Sequence, residues 1–225
     1  LAATDALLLD FDGPVCSIFA DLPARYVADQ LREVLIRRSG TELPAEVDRT
    51  SDPFDVLSYA ATLGAEEARH VEAALRAHEV EAATTAPPTA GAHELIREWH
   101  VTGRKLAIVS NNSRTAVNSY LRQHTLTSHV HIVSARTQYD PELLKPNSHL
   151  VDRAITQLAV RPHKSTLVGD STTDITAGRA AKIRTIGYAN KAGKVANLSS
   201  HGADAVTTSI ITLYLAIGGV DGGRP

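Results

Sequence analysis

The sequence predicts an α/β chain: a doubly wound parallel sheet of Rossmann-like type with an inserted α-helical cap domain. Three observations predict it. After residue 91, short apolar runs alternate with amphipathic helical stretches, the pattern of right-handed crossovers that build a parallel sheet. Residues 19–86, directly behind the first apolar run, carry helical periodicity and no convincing strand. The polar residues with chemical potential cluster where apolar runs stop, and open parallel sheets bind ligands beyond the carboxyl ends of their strands.

The first run, Ala6-Leu7-Leu8-Leu9 within Asp5 to Phe11, is continuous rather than alternating, as expected of a central strand covered on both faces. Leu22, Tyr26, Val27, Leu31, Val34 and Leu35 then recur at helical spacing, with Gly40 as the stop. Ser51-Asp52-Pro53 reads as a cap with proline in the first turn, opening a helix that closes near Gly64, and a third helix is expected from Glu66 to Val80. Ala86-Pro87-Pro88-Thr89-Ala90-Gly91 brings the chain back. The division expected is a core of residues 1–17 and 87–225 and a cap of residues 18–86. Helices are then predicted near His93 to His100, Thr115 to His124, Ser148 to Leu158, Thr173 to Ala181 and Ser209 to Ile217. Strands are predicted at Lys105 to Ser110, His131 to Ser134, Ser165 to Gly169, Arg184 to Gly187 and Ala205 to Thr207, with a flexible tail from Gly218 to Pro225.

Charged residues make up 21% of the chain and the net charge is −2, so no basic surface calls for nucleic acid or an anionic membrane; a small soluble ligand is the expected partner. A single cysteine, Cys16, excludes an internal disulfide and any multi-cysteine metal site, and together with the lack of a long apolar run it gives cytoplasmic as the expected location. Without a conspicuous exposed apolar stripe, a monomer or homodimer is the default.

Four strand ends carry the chemistry. Asp10-Phe11-Asp12-Gly13 places two carboxylates one residue apart, which suits a division in which one attacks phosphorus and the other handles the proton of the leaving alcohol and then of water. The same string also occurs in calcium loops and plain turns. Ser110-Asn111-Asn112 follows Leu106 to Val109 and offers a hydroxyl, an amide and free N–H groups for phosphate oxygens; its bland reading is a helix cap. Lys145, fixed ahead of Pro146, can neutralise charge on a carboxylate nucleophile and a phosphate, although a lone lysine is usually a solvated charge. Gly169-Asp170-Ser171-Thr172-Thr173-Asp174 sets hard oxygen ligands at the end of Thr166-Leu167-Val168, with Asp174 one helical turn beyond Asp170. Alone, it is also a capped helix start.

In this order, the four motifs resemble the haloacid dehalogenase superfamily of aspartate-nucleophile phosphatases, over nearly the whole chain from Leu7 to about Thr207. The helical insertion is similar to the cap of its phosphoglycolate phosphatase and phosphoglucomutase branch; Pro14 departs from the common pattern without removing a functional group. The resemblance implies Asp10 as nucleophile, Asp12 as general acid and base, and Ser110 and Asn111 as phosphate holders, with Lys145 balancing charge. It further implies Mg2+ on Asp10, the Asp12 backbone carbonyl and Asp170, with Asp174 as an outer ligand. Asp12 argues against dehalogenation, since a halide leaves without a proton, and the absence of lysine from Phe19 to Ala86 argues against the Schiff-base phosphonate cleavers. The expected activity is hydrolysis of a small phosphomonoester, phosphoglycolate being the family's example. The alternatives are a phosphomutase of the β-phosphoglucomutase type and a non-catalytic phospho-ligand-binding protein.

Cys16 reads as a small buried hydrophobe, Trp99 as core, and His124, His129 and His131 match no metal spacing. Of the cap arginines, Arg25 and Arg49 are the ones that would select acidic substrates if they faced the site.

Overall fold

A computed structural model describes residues 1–40 and 42–218. Six parallel strands form one sheet in the order β3-β2-β1-β4-β5-β6: β1 (Ala6–Leu9), β2 (Lys105–Ser113), β3 (Ile132–Arg136), β4 (Ser165–Gly169), β5 (Arg184–Tyr188) and β6 (Ala205–Thr207). The chain moves outward on one side of β1, returns, and moves outward on the other. The crossovers therefore diverge between β1 and β4, the place where such sheets open a ligand crevice.

The period of two along β1 sorts its side chains. Leu7 and Leu9 enter an apolar cluster with Trp99, Tyr120 and Ile210, whereas Ala6 and Leu8 enter a second with Val151, Leu158 and Ala177. The first cluster belongs to α5 (Ala92–Val101), α6 (Arg114–Gln123) and α10 (Ile210–Gly218), the second to α7 (His149–Leu158) and α8 (Thr172–Ala180). A fully buried leucine contributes about 1.5–3 kcal/mol, so this three-layer core anchors the strand ends that carry the polar residues. Trp99 is in the core as expected, donating Nε1–H to Lys105 O at 2.8 Å, and Cys16 is buried.

Between β1 and β2 the chain forms α1 (Ala24–Ser39), α2 (Ala45–Arg49), α3 (Pro53–Leu63) and α4 (Ala65–Ala83). The stop and start signals act as the sequence predicts. Gly40 takes a left-handed conformation at φ 62° and donates to Ile36 O, and Asp52 Oδ1 accepts from Phe54 N–H at 2.9 Å ahead of Pro53. Val27, Leu31, Leu35, Leu57 and Leu75 join the cluster that lines the α7 face of the sheet. The outgoing and returning segments run side by side: Ser17 N–H donates to Pro87 O, Thr89 N–H to Val15 O, and the Thr89 hydroxyl to Gly13 O.

Three elements differ from the sequence reading. β2 does not end at Ser110 but continues through a bulge to Ser113, whose hydroxyl caps α6 by accepting from Ala116 N–H. α2 and α9 (Lys194–Ser200) are additional, each too short and too poor in buried residues to show a period, with only Val47 and Leu198 buried. Beyond Gly218, the predicted tail lies outside the described residues.

Candidate active site

Asp10 is the first residue past β1, and its N–H still pairs with Val168 O of β4 at 2.9 Å. Its carboxylate is therefore fixed over the switch point. Across the sheet, Lys145 follows a 3-10 turn at Pro141–Leu143, and its peptide bond to Pro146 is cis. The buried Lys145 ammonium donates to Asp10 Oδ1 at 2.7 Å, to Val109 O at 3.1 Å, and to Asp174 Oδ1. An ammonium has three protons, so all three are placed.

The electrostatics are unbalanced toward negative charge. Burial of Asp10, together with repulsion from Asp174, lifts its carboxyl well above the usual range; Lys145 opposes this, and Asp170 adds to it. Burial disfavours charge on Lys145 too, yet Asp10 and Asp174 hold its pKa above the ordinary lysine value. Lys145 alone does not offset Asp10 and Asp174, the two carboxylates it touches. Asp10, Asp170 and Asp174 each offer an oxygen within 4.8 Å of the others, a donor set of hard carboxylates that fits a divalent cation.

The three carboxylates are not equivalent. Asp174 is fully buried, with Oδ1 on Lys145 and Oδ2 accepting from Ser171 N–H at 3.0 Å and Ser171 Oγ at 2.7 Å. It completes a capping box at the start of α8, so both of its oxygens are engaged. Asp170 is half-buried; its Oδ2 accepts from Asn190 at 3.0 Å and from Lys194, and among the described residues no hydrogen bond holds Oδ1. Close packing explains two glycines here. A Cβ on Gly13, which sits at φ +103°, would lie 2.5 Å from Asp170 Cγ, and one on Gly169 would lie 2.3 Å from Asp174 Cβ.

Asp12 stands beside this group, its Oδ1 accepting from Ile18 N–H at 3.0 Å. Burial raises its pKa to about 6 against that hydrogen bond, with Asp170 adding to the rise and Lys191 and Lys194 opposing it. A carboxyl in that condition can carry a proton near neutral pH. Asp10, Asp12, Ser110, Asn111, Lys145 and Asp170 all line one cavity of about 650 Å³. Asp174 lies behind its wall. Neither Arg25 nor Arg49 lines it, and both are exposed.

The side chain of Asn111 is differently employed from the sequence expectation. Its amide donates to Lys145 O at 3.0 Å and its carbonyl accepts from Lys145 N–H at 2.8 Å, clamping the lysine loop. Ser110 Oγ donates to Asn112 Oδ1 and accepts from Asn112 N–H, both at 3.1 Å.

The bulged segment is held by two residues the sequence reading passed over. Glu79 of α4 is fully buried and accepts from Asn112 Nδ2 at 3.3 Å, from Ser113 N–H at 2.9 Å, and from Arg136. Arg136, at the end of β3, also pairs with Glu72 and donates Nε–H to Asn111 O at 3.1 Å. The helical insertion thus reaches into the segment that carries Ser110. Glu79 lies in Val80-flanked helical sequence and its partner is 57 residues away, so local pattern gives no signal.

The sequence model of the haloacid dehalogenase-like hydrolases matches residues 44–188, which include Ser110, Lys145, Asp170 and Asp174. The chain belongs to this family. Among curated family relatives, pyrophosphatase PpaX of Halalkalibacterium halodurans is 31% identical over 104 residues, 45% of this chain and 47% of that protein. PpaX of Anoxybacillus flavithermus is 33% identical over 97 residues, 43% and 44% of the two chains. The chain spans about half the length of the curated relatives it matches. Solved family structures extend the likeness to the whole fold. A hydrolase from Deinococcus radiodurans with bound phosphate and sodium is 26% identical, covers 97% of both chains and superposes with a TM-score of 0.60. One from Clostridium acetobutylicum described as a predicted phosphatase has a TM-score of 0.71 at 13% identity over 95% of this chain and 98% of that one, a likeness of fold alone.

Proposed function

We propose that the protein is a magnesium-dependent phosphatase that hydrolyses a small phosphomonoester through an aspartyl-phosphate on Asp10. The observation that carries this reading is the Lys145 ammonium placed on Asp10 Oδ1 beside Asp12, at the floor of a cavity large enough for one metabolite. Residues 18–86 act as a cap over that cavity.

The steps follow from the groups at hand. The Asp10 carboxylate attacks phosphorus while the bond to the leaving oxygen breaks, and Asp12 in its protonated form gives its proton to that oxygen. Asp12, now a carboxylate, takes a proton from water as the water attacks the phosphoryl group; the Asp10–phosphorus bond breaks and inorganic phosphate leaves. Lys145 and the N–H groups of the Ser110–Asn112 segment offset the charge on the phosphoryl oxygens. Asp10, the Asp12 carbonyl and Asp170 would hold Mg2+, which supplies charge neutralisation to phosphate and nucleophile together. Asp174 fixes Lys145 from behind and would stand as an outer ligand of the metal.

The test is release of inorganic phosphate from a panel of esters that includes phosphoglycolate and, because of the PpaX likeness, pyrophosphate, with and without Mg2+. Asp10→Asn should lower turnover by at least about 10³-fold, the scale of losing a nucleophile. Turnover by the variant close to that of the parent enzyme removes the aspartyl-phosphate from the reading.

A further inference from the structure

The cavity has two unlike walls. The sheet side holds the residues assigned above to phosphoryl transfer. The opposite side comes from the start of α3 and contributes Ser51, Asp52, Phe54, Asp55 and Ser58. Lys145 is the one basic side chain among the described residues lining the cavity, and it is already shared between two carboxylates. Arg136 lies behind Phe54, its guanidinium 6.0 Å from the ring centroid, with its charge matched by Glu72 and Glu79.

Asp52 and Asp55 have a structural use at the helix start, but that use leaves charge over. Asp52 Oδ1 caps Phe54 N–H, and Asp55 Oδ2 accepts the Thr50 hydroxyl at 2.6 Å. Among the described residues neither carboxylate has a cationic partner. The positive end of a helix is equivalent to about half an elementary charge, against two full negative charges here, so the wall is net negative. Partial burial first, and the neighbouring Asp55 in lesser part, raise the Asp52 pKa against the Phe54 N–H.

We propose that this wall selects the alcohol half of the substrate, and that the substrate is a phosphomonoester whose leaving alcohol carries an ammonium group and no second anion. The inference rests on the phosphatase reading. The phosphate meets Lys145 and the metal-binding carboxylates on the sheet side, while the ammonium meets Asp52 and Asp55 with the Phe54 face alongside, a combination of carboxylate and aromatic ring suited to an amine. A carboxylate or second phosphate in the same place would face like charge.

A matched two-carbon series tests it: O-phosphoethanolamine, 2-hydroxyethyl phosphate and phosphoglycolate, which differ at the distal group by ammonium, hydroxyl and carboxylate. The expected kcat/KM falls in that order, with the ammonium ester about tenfold or more above the carboxylate ester, the scale of reversing a charge near two partly solvated carboxylates. The Asp52→Asn/Asp55→Asn variant should compress the ratio toward one while keeping kcat for the hydroxyl ester, since asparagine also caps helices. Turnover of phosphoglycolate equal to or better than phosphoethanolamine overturns the inference and leaves the phosphatase reading standing. No phosphate from these esters or from p-nitrophenyl phosphate overturns the phosphatase reading, and the inference with it.

Discussion

The two walls of the cavity treat charge in opposite ways. On the sheet side the charges are mostly buried and engaged, Lys145 between Asp10 and Asp174, Asp174 on Ser171 and Arg136 between Glu72 and Glu79, while the half-buried Asp170 is paired with Lys194. On the α3 side Asp52 and Asp55 are exposed, and among the described residues neither has a cationic partner. Buried charges in a fixed network cannot change without loss of structure, whereas exposed ones can be exchanged at little cost. Under the proposed function, the first wall serves the chemistry and the second the choice of substrate.

The largest effect that sharpens this contrast is Lys145→Ala. It leaves Asp10 and Asp174 without their buried partner, so about 3–5 kcal/mol of stability should be lost along with at least about 10³-fold in turnover. Asp52→Asn should leave stability within about 0.5 kcal/mol. Urea melts of the two variants decide it; comparable destabilisation would erase the distinction between the walls.

Glu79 is the next case, because it belongs to the helical insertion yet behaves like the sheet side. Glu79→Ala strips Arg136 of one of its two carboxylates and frees Asn112 and Ser113, and a loss of about 3 kcal/mol is expected with reduced kcat. Glu79→Gln keeps an acceptor for Ser113 N–H and should recover part of both. If kcat of Glu79→Gln equals that of Glu79→Ala at matched folding, the carboxylate serves stability alone and does not organise the Ser110 segment.

These two residues also show where the sequence is legible and where it is not. Asp10 and Asp170 could be found because each directly follows a strand, and Ser110 because it ends the apolar part of β2, all local features; Lys145 is marked instead by Pro146, since it follows a 3-10 turn and not a strand. Most core elements lie within two or three residues of their predicted bounds for the same reason. Glu79 and Arg136 join 57 residues apart, and Lys194 reaches Asp170 from a helix of seven residues with one buried side chain. Such contacts are products of packing, for which neither motif nor period exists. Asn111 illustrates the converse: its position was legible, but its side chain clamps the Lys145 backbone, a role set by the bulge in β2.

Addition of Mg2+ probes the crowding of Asp10, Asp170 and Asp174 directly. A ligand that binds only the folded chain stabilises it by RT ln(1 + [L]/Kd), so about tenfold excess over Kd should raise the melting temperature by about 3–5 °C. Asp170→Asn should reduce that shift by at least half, and Asp52→Asn should not. An equal shift in all three proteins would place the metal outside the sheet-side wall.

The smallest expected effect lies on the far face of the sheet, where burial acts without any catalytic demand. His93 Nε2 contacts the Tyr120 hydroxyl at 2.9 Å, and its ring packs on His124. Burial first, then the nearby His124 and Arg97, lower its pKa from 6.5, with Glu94 opposing; His124 itself is lowered by burial and Arg97. Because the folded-state pKa lies below the unfolded one, the stabilisation is complete above about pH 6.5. It is lost as pH falls toward the folded value, since the unfolded chain takes up protons that the folded chain refuses. His93→Gln should therefore narrow the stability difference between pH 7 and pH 5.5 in urea titrations. Carboxylates such as Asp12 titrate in both proteins and cancel in the comparison. An unchanged pH difference would mean that His93 accepts its proton inside the fold as readily as outside it, and that the far face tolerates charge as the α3 wall does.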